Sequence, residues 1–209
     1  MVRSTLIIIA PLITALLIGC NTNSSSPKEN LYNISINTVG KGTVSKSPDK
    51  KNYNHNEEVK LKANANDGYV FIKWKGGISG NNNPKTIHVI ENTSVKATFK
   101  TYKDAIDFNL RSTEIENHKV QKANLSITNN IPHPVDVEKL FIEDAENHKV
   151  VRLNSGSLLT GEYKSKYYPI EEYSQVLPLK KEDFKKLTAV IKLKDRGQKI
   201  ILKAKATIQ

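Results

Sequence analysis

From Leu31 to the C-terminus the apolar residues recur at every second position. In "EEVKLKANA" Val59, Leu61 and Ala63 fall on one side, and in "SVKATFK" Val95, Ala97 and Phe99 do the same. Alternate side chains of a strand point to opposite faces, so each such run can bury one face and wet the other. Turn residues cut the runs apart: Gly40 and Gly42, Pro48-Asp49, Asp67-Gly68 and "GGISGNNNP". The pattern predicts an all-β chain of short strands, with about six of them in the first 70 residues after Leu31.

The chain has one cysteine, Cys20, in "LLIGCNTNSSS". A lone thiol forms no disulfide within the chain, and the neighbouring Asn, Thr and Ser offer no zinc set. Each domain must therefore hold itself together by burying apolar area. Ahead of Cys20, Arg3 supplies one positive charge, and Leu6 to Gly19 is apolar apart from Thr14 and interrupted by Pro11. That run is shorter than the roughly 20 residues needed to cross a bilayer core and has the length of a signal-peptide core. Leu17-Ile18-Gly19-Cys20 resembles the lipobox of bacterial lipoproteins. The resemblance implies cleavage between Gly19 and Cys20 and acylation of the Cys20 sulfur by palmitate-type chains. One acyl chain holds only marginally, at about 0.8 kcal/mol per buried methylene, whereas two give stable attachment. The expected organisation is a signal peptide (1–19), a polar tether (20–30), and two β domains (31–100 and 101–209). The mature protein is expected on a membrane through the lipid on Cys20, without spanning it. Asn21 does not match an aspartate retention signal. The expected location is thus the outer membrane if the cell has two membranes, and the outer face of the plasma membrane otherwise.

Within the first domain the ordered landmarks are Gly40, Gly42, Pro48, Tyr53, Val59, Leu61, Gly68, Tyr69, Phe71, Trp74, Gly76, Pro84, Val95, Ala97 and Phe99. Their order resembles the internalin-type B repeat, with its G-x-G turn, V-x-L strand, G-Y-x-F-x-x-W-x-G run and closing A-x-F. Asn56 stands where that family usually has glycine, and asparagine tolerates the left-handed turn. The resemblance implies a small β-grasp-like module of bacterial surface proteins and no enzyme activity. Tyr69 and Phe71 share a strand face while Trp74 has the other parity, so either a bulge intervenes or both faces of the strand are buried. Trp74, the only tryptophan, reads as a core anchor. Its alternative is a stacking platform for sugars or bases beside Lys73 and Lys75.

Residues 101–209 continue with about seven alternating runs, from "AIDFNL" to "KIILKAKATI", and predict an immunoglobulin-like β-sandwich. "ITNNIPHPVDV", "EDAENHKV" and "KDRGQK" read as turns, and "KKEDFKKL" as a turn of helix with Phe184 and Leu187 facing inward. "GEYKSKYYPIEEY" falls outside any clear strand. Its Tyr163, Tyr167, Tyr168 and Tyr173 form the candidate partner contact, because loop tyrosines give rigid contact area.

The formal charge is +11, and +10 once Arg3 leaves with the leader. Lysines occur in every segment and read as a solvated exterior, although such charge also favours anionic surfaces. Catalytic constellations are missing. "VGKGTV" lacks the spacing of a phosphate loop, and "GGISGN" lacks the second glycine of a nucleophile elbow. Neighbouring carboxylates such as Glu57-Glu58 and Glu171-Glu172 point to opposite strand faces. His118, His133 and His148 lie fifteen apart with no second ligand pair, so no metal and no cofactor are expected. The sequence thus predicts a non-catalytic binding or structural lipoprotein of the cell envelope or surface. Its expected partner is a protein or an anionic glycan, not nucleic acid. The alternative is an accessory subunit of an envelope assembly that binds a protein through the C-terminal sandwich.

Overall fold

The computed structural model describes residues 30–153, 165–170 and 177–209. Its first part comprises β1 (Leu31–Tyr32), β2 (Ile34–Val39), β3 (Gly42–Ser47), β4 (Tyr53–Asn54), β5 (Glu57–Ala65), β6 (Tyr69–Gly76), β7 (Lys85–Val89) and β8 (Thr93–Thr101). Two three-stranded sheets, β2-β8-β6 and β3-β5-β7, share one core, and β1 pairs with β4. β2 and β8 run parallel, the grasp-like feature, and the second sheet lies across from them. The alternation sends Val59, Leu61 and Ala63 from one sheet and Val95, Ala97 and Phe99 from the other into that core, with Trp74 only 1% exposed. The Trp74 indole N–H donates to the Asn82 carbonyl at 2.8 Å, which satisfies its one polar atom.

Both readings of the Trp74 parity hold at once. Against β8, Phe71 pairs with Phe99 but Lys73 with Thr98, so β6 carries one extra residue, Ile72. This bulge resets the alternation and turns Phe71 and Trp74 into the same core. Val70 and Ile72 point the other way and pack into the core of the second domain.

The connection is one helical turn, α1 (Tyr102–Ala105), capped by the Thr101 hydroxyl, which accepts from the Asp104 amide. The second domain follows with β9 (Ile106–Glu116), β10 (Lys119–Asn129), β11 (Asp136–Glu143), β12 (Lys149–Leu153), β13 (Ser165–Pro169), β14 (Leu179–Lys180), α2 (Lys181–Phe184), β15 (Thr188–Asp195) and β16 (Gln198–Thr207). β12-β11-β15-β16 form one layer and β9-β10-β13 the other. β16 joins them: it pairs antiparallel with β15 through Lys205, then Ala206 and Thr207 pair in parallel with Leu110 and Arg111 of β9. This is the expected immunoglobulin-like sandwich. The predicted turns are present between β10 and β11, β11 and β12, and β15 and β16, and α2 buries Phe184 beside Leu187.

The tyrosine segment departs from expectation. Ser165–Pro169 is a strand, and β13 and β14 pair with successive stretches of β10, at Asn124–Thr128 and Lys119–Val120. One strand position is thus filled by two pieces of chain.

Gly40 and Gly42 both serve Phe99. A Cβ on Gly40 would sit 2.2 Å from the Phe99 carbonyl oxygen, and one on Gly42 would sit 2.6 Å from its ring. Gly42→Ala is expected to push Phe99 against Phe71, whose ring lies 4.9 Å from that of Trp74. Such overpacking costs about 1–3 kcal/mol. Urea unfolding followed by Trp74 emission checks this, and an unchanged midpoint would show that the ring has room to move.

Candidate functional site

Gly19, Cys20, Tyr163 and Tyr173 lie outside the described residues. Tyr167 pairs with Ser126 in the β13–β10 ladder. Tyr168 is corrected from surface contact to core. It is 2% exposed and packs among Leu125, Ile127 and their neighbours, because the strand it occupies turns it inward. The histidines stay apart. His118 sits in the β9–β10 turn with φ +65°, and His148 closes the β11–β12 turn. Asp144 and Glu146 lie near the His148 imidazole, at 3.3 and 3.4 Å, but Asp144 already accepts from the amides of Glu146 and His148. That cluster is an exposed turn closing on itself.

His133 is different. Its Nε2 lies 3.0 Å from both oxygens of Asp195, which is 5% exposed at the end of β15. The Tyr102 hydroxyl, from the turn linking the domains, donates to the same carboxylate at 2.7 Å. The Arg196 guanidinium lies 3.3 Å from His133 Nδ1. Burial by itself would raise the Asp195 carboxyl. The hydrogen bonds from His133 and Tyr102 and the Arg196 charge outweigh it and hold the group below the ordinary carboxylate range. Burial and the bond to Asp195 push the Tyr102 phenol upward. Nearby, the Gly68 amide donates to the Gln198 side chain at 3.2 Å, and the Asn130 amide donates to the Ala105 carbonyl at 2.9 Å. With Val70 and Ile72 beside it, the network latches the two domains together. The Asp195 oxygens are occupied by their internal donors, so the constellation does not present a free base.

The open surface lies on the outer face of β12-β11-β15-β16. The inward residues of these strands, such as Ile142, Ala189, Ile191 and Leu202, fill the sandwich core. The outward ones form four rows across the sheet: Lys199, Lys194 and Asp136; Ile201, Lys192 and Lys139; Lys203, Val190, Phe141 and Arg152; Lys205, Thr188, Glu143 and Lys149. Lysines spread through the sequence therefore converge on one face. Phe141 and Val190 are buried yet belong to neither core. The Lys149 ammonium lies over the Phe141 ring, 5.1 Å from its centre. Lys203 with Glu143, at 2.7 Å, is the one ion pair on this face among the described residues. Lys139 stands opposite Lys192, and Lys194 opposite Lys199, pairings that cost stability. At the far end Lys185, Lys186, Lys203 and Lys205, together with Glu143 and Asp144, line a concave corner. Sequence reasoning missed the face because it depends on strand register. The one local signal was "KIILKAKA", with Lys199, Lys203 and Lys205 on one parity.

Residues 32–103 match the family model of the divergent InlB B-repeat domain. That domain points to a surface or binding role. No curated protein matches the chain.

Asp195→Asn tests the latch. Each lost hydrogen bond to the charge costs about 1.5–3 kcal/mol at neutral pH. Because the folded carboxyl titrates below its unfolded value, its contribution is complete above about pH 4 and is lost as pH falls through the folded value. Melting temperatures should therefore drop more steeply below about pH 4 for the wild type than for D195N. Parallel curves would show that Asp195 carries no such linkage.

Proposed function

We propose that the protein is a non-catalytic lipoprotein of the bacterial envelope, held on a membrane through acylated Cys20, whose second domain contacts another macromolecule. The observation that carries this reading is the B-repeat match over residues 32–103, a domain type associated with surface and binding roles. Three features support it. The titratable cluster at Tyr102, Asp195 and His133 is consumed by domain docking rather than left open to a substrate. Among the described residues no helix is long and apolar enough to cross a membrane, so attachment through Cys20 accounts for membrane association without a span there. The exposed cationic face of the sandwich provides a contact surface. In a cell with two membranes the site of attachment is the outer membrane; otherwise it is the outer face of the plasma membrane.

Expression of the full chain in a bacterial host with labelled palmitate tests the anchor. The wild type is expected to incorporate label, to lose 19 residues and to partition with membranes. Cys20→Ala should retain the leader and take up no label. Wild type without acyl mass at Cys20 would overturn the lipoprotein reading.

A further inference from the structure

We infer that, given the acyl anchor at Cys20 proposed above, the first domain rests on the same membrane through one apolar pole that seats in the phospholipid headgroup layer. Three stretches of chain build this pole. β1 pairs Leu31 with Asn54 and Tyr32 with Tyr53. The Asn56 amide donates to the Val89 carbonyl at 2.7 Å, and the Thr93 amide donates to the Asn33 carbonyl at 2.9 Å. Leu31 and the turn that starts at Ile90 are thereby carried to one end of the domain. Leu31 is 51% exposed and Ile90 57%, two of the four large apolar side chains exposed among the described residues. Apolar groups scattered singly on a surface mean little, whereas two at one end of a small module form a patch. Beside Leu31 the half-buried Tyr32 ring lies tilted against the His55 ring, 5.9 Å between centres. A side chain with an apolar body and a polar tip suits the layer between water and hydrocarbon.

Position names the occupant. Residues 20–30 join the Cys20 sulfur to this pole and span at most about 38 Å even when fully extended. The pole is therefore the part of the described chain that the anchor brings nearest to the bilayer. With acyl chains supplying the affinity, a contact too weak to recruit a free protein is still populated when a tether of that reach confines it. Charge agrees with a contact made by apolar groups. Residues 30–34, 53–56 and 89–93 hold no lysine or arginine, in a chain with 32 of them. Glu91 is their one carboxylate, and Glu57 next to them is paired with Lys50 at 2.6 Å. Asn33, Asn54, Asn56 and Asn92 form an uncharged collar instead, whereas attraction to anionic lipid would call for cations. β8 leaves the pole at Thr93 and ends nine residues on at Thr101, about 30 Å away, where α1 leads into the second domain. The second domain is thereby held off the headgroups.

The test uses the full-length lipidated protein in phosphatidylcholine vesicles whose lipid carries a photoreactive diazirine on the acyl chain close to the glycerol. Acyl mass at Cys20 is measured on the same sample. Irradiation is expected to insert lipid at Leu31, Tyr32 and Ile90 about tenfold more than at Ile201, which is exposed to the same 57% as Ile90 but lies in the second domain. The variant L31Q/I90Q removes the apolar character of the pole. It should keep its acyl mass and, because both positions are on the surface, its melting temperature. Insertion at its Tyr32 and His55 is expected to fall about fivefold. Unchanged insertion there would mean that the tether alone brings the pole to lipid, and equal insertion at Ile201 that any exposed apolar group is labelled; either result overturns the proposal. So would insertion in the wild type that falls as salt rises from about 0.05 to about 0.5 M, which would assign the contact to charge. Wild type without acyl mass is a failure of the anchor alone. A chain starting at Cys20, coupled through that thiol to a maleimide-bearing lipid in the same vesicles, then still decides whether the pole seats in them.

Discussion

One extra residue in β6 holds the molecule together. Ile72 is unpaired against β8, and by breaking the alternation it lets a single strand face two cores. Phe71 and Trp74 close the first, while Val70 and Ile72 enter the second. Burying a side chain of this size contributes about 1.5–3 kcal/mol, so even two of them outweigh a typical surface contact. The strand leads through β8 and α1 to Tyr102, whose hydroxyl reaches Asp195. Apolar plug and polar latch thus lie side by side. Domains joined by a short linker generally move relative to one another unless their interface is substantial. Here the junction includes a shared strand, a buried carboxylate and backbone groups from both sides.

The β architecture was legible in the residues because burial on one face forces a two-residue period, which survives in strands such as β5, β8 and β16. Trp74 posed the right question: its parity conflict with Phe71 announced either a bulge or a doubly buried strand, and β6 is both. Other features were closed to sequence reasoning for a physical reason. Tyr168 looked like loop surface because "SKYYP" is polar on both sides and short, and only pairing with β10 turns it inward. His133 lay between two prolines, and nothing local indicated that Asp195, 62 residues away, would meet it. The cationic face is the plainest case. Evenly spaced lysines say nothing about sidedness until four strands are laid in register, and the order of those strands is a property of topology.

That face also shows stability set against another demand. A sandwich selected for folding alone would place Glu or Thr opposite Lys139 and Lys199. Instead, among the described residues, the one carboxylate of this face held in an ion pair is Glu143, itself nearly buried beneath Lys203, while Asp136 stands opposite Lys194. Phe141 and Val190 are buried near the middle of this face, and the Lys149 ammonium lies over the Phe141 ring. The result is a rigid array on a regular scaffold, not a flexible basic tail, and its spacing is that of the strands beneath it.

The parallel pairing of β2 with β8 has a mechanical meaning. After the two-residue β1, β2 carries the chain into the first domain, and β8 hands it on to the second. Because the strands run in the same direction, tension between those two points draws them past one another along their length. Six residue pairs, Ile34 with Thr93 through Val39 with Thr98, then bear the load together in shear. An antiparallel hairpin in that place would open one rung at a time, like a zip. The first domain therefore behaves as a clamp in series with whatever the second domain holds, and the weakest link under tension lies elsewhere than in its terminal strands.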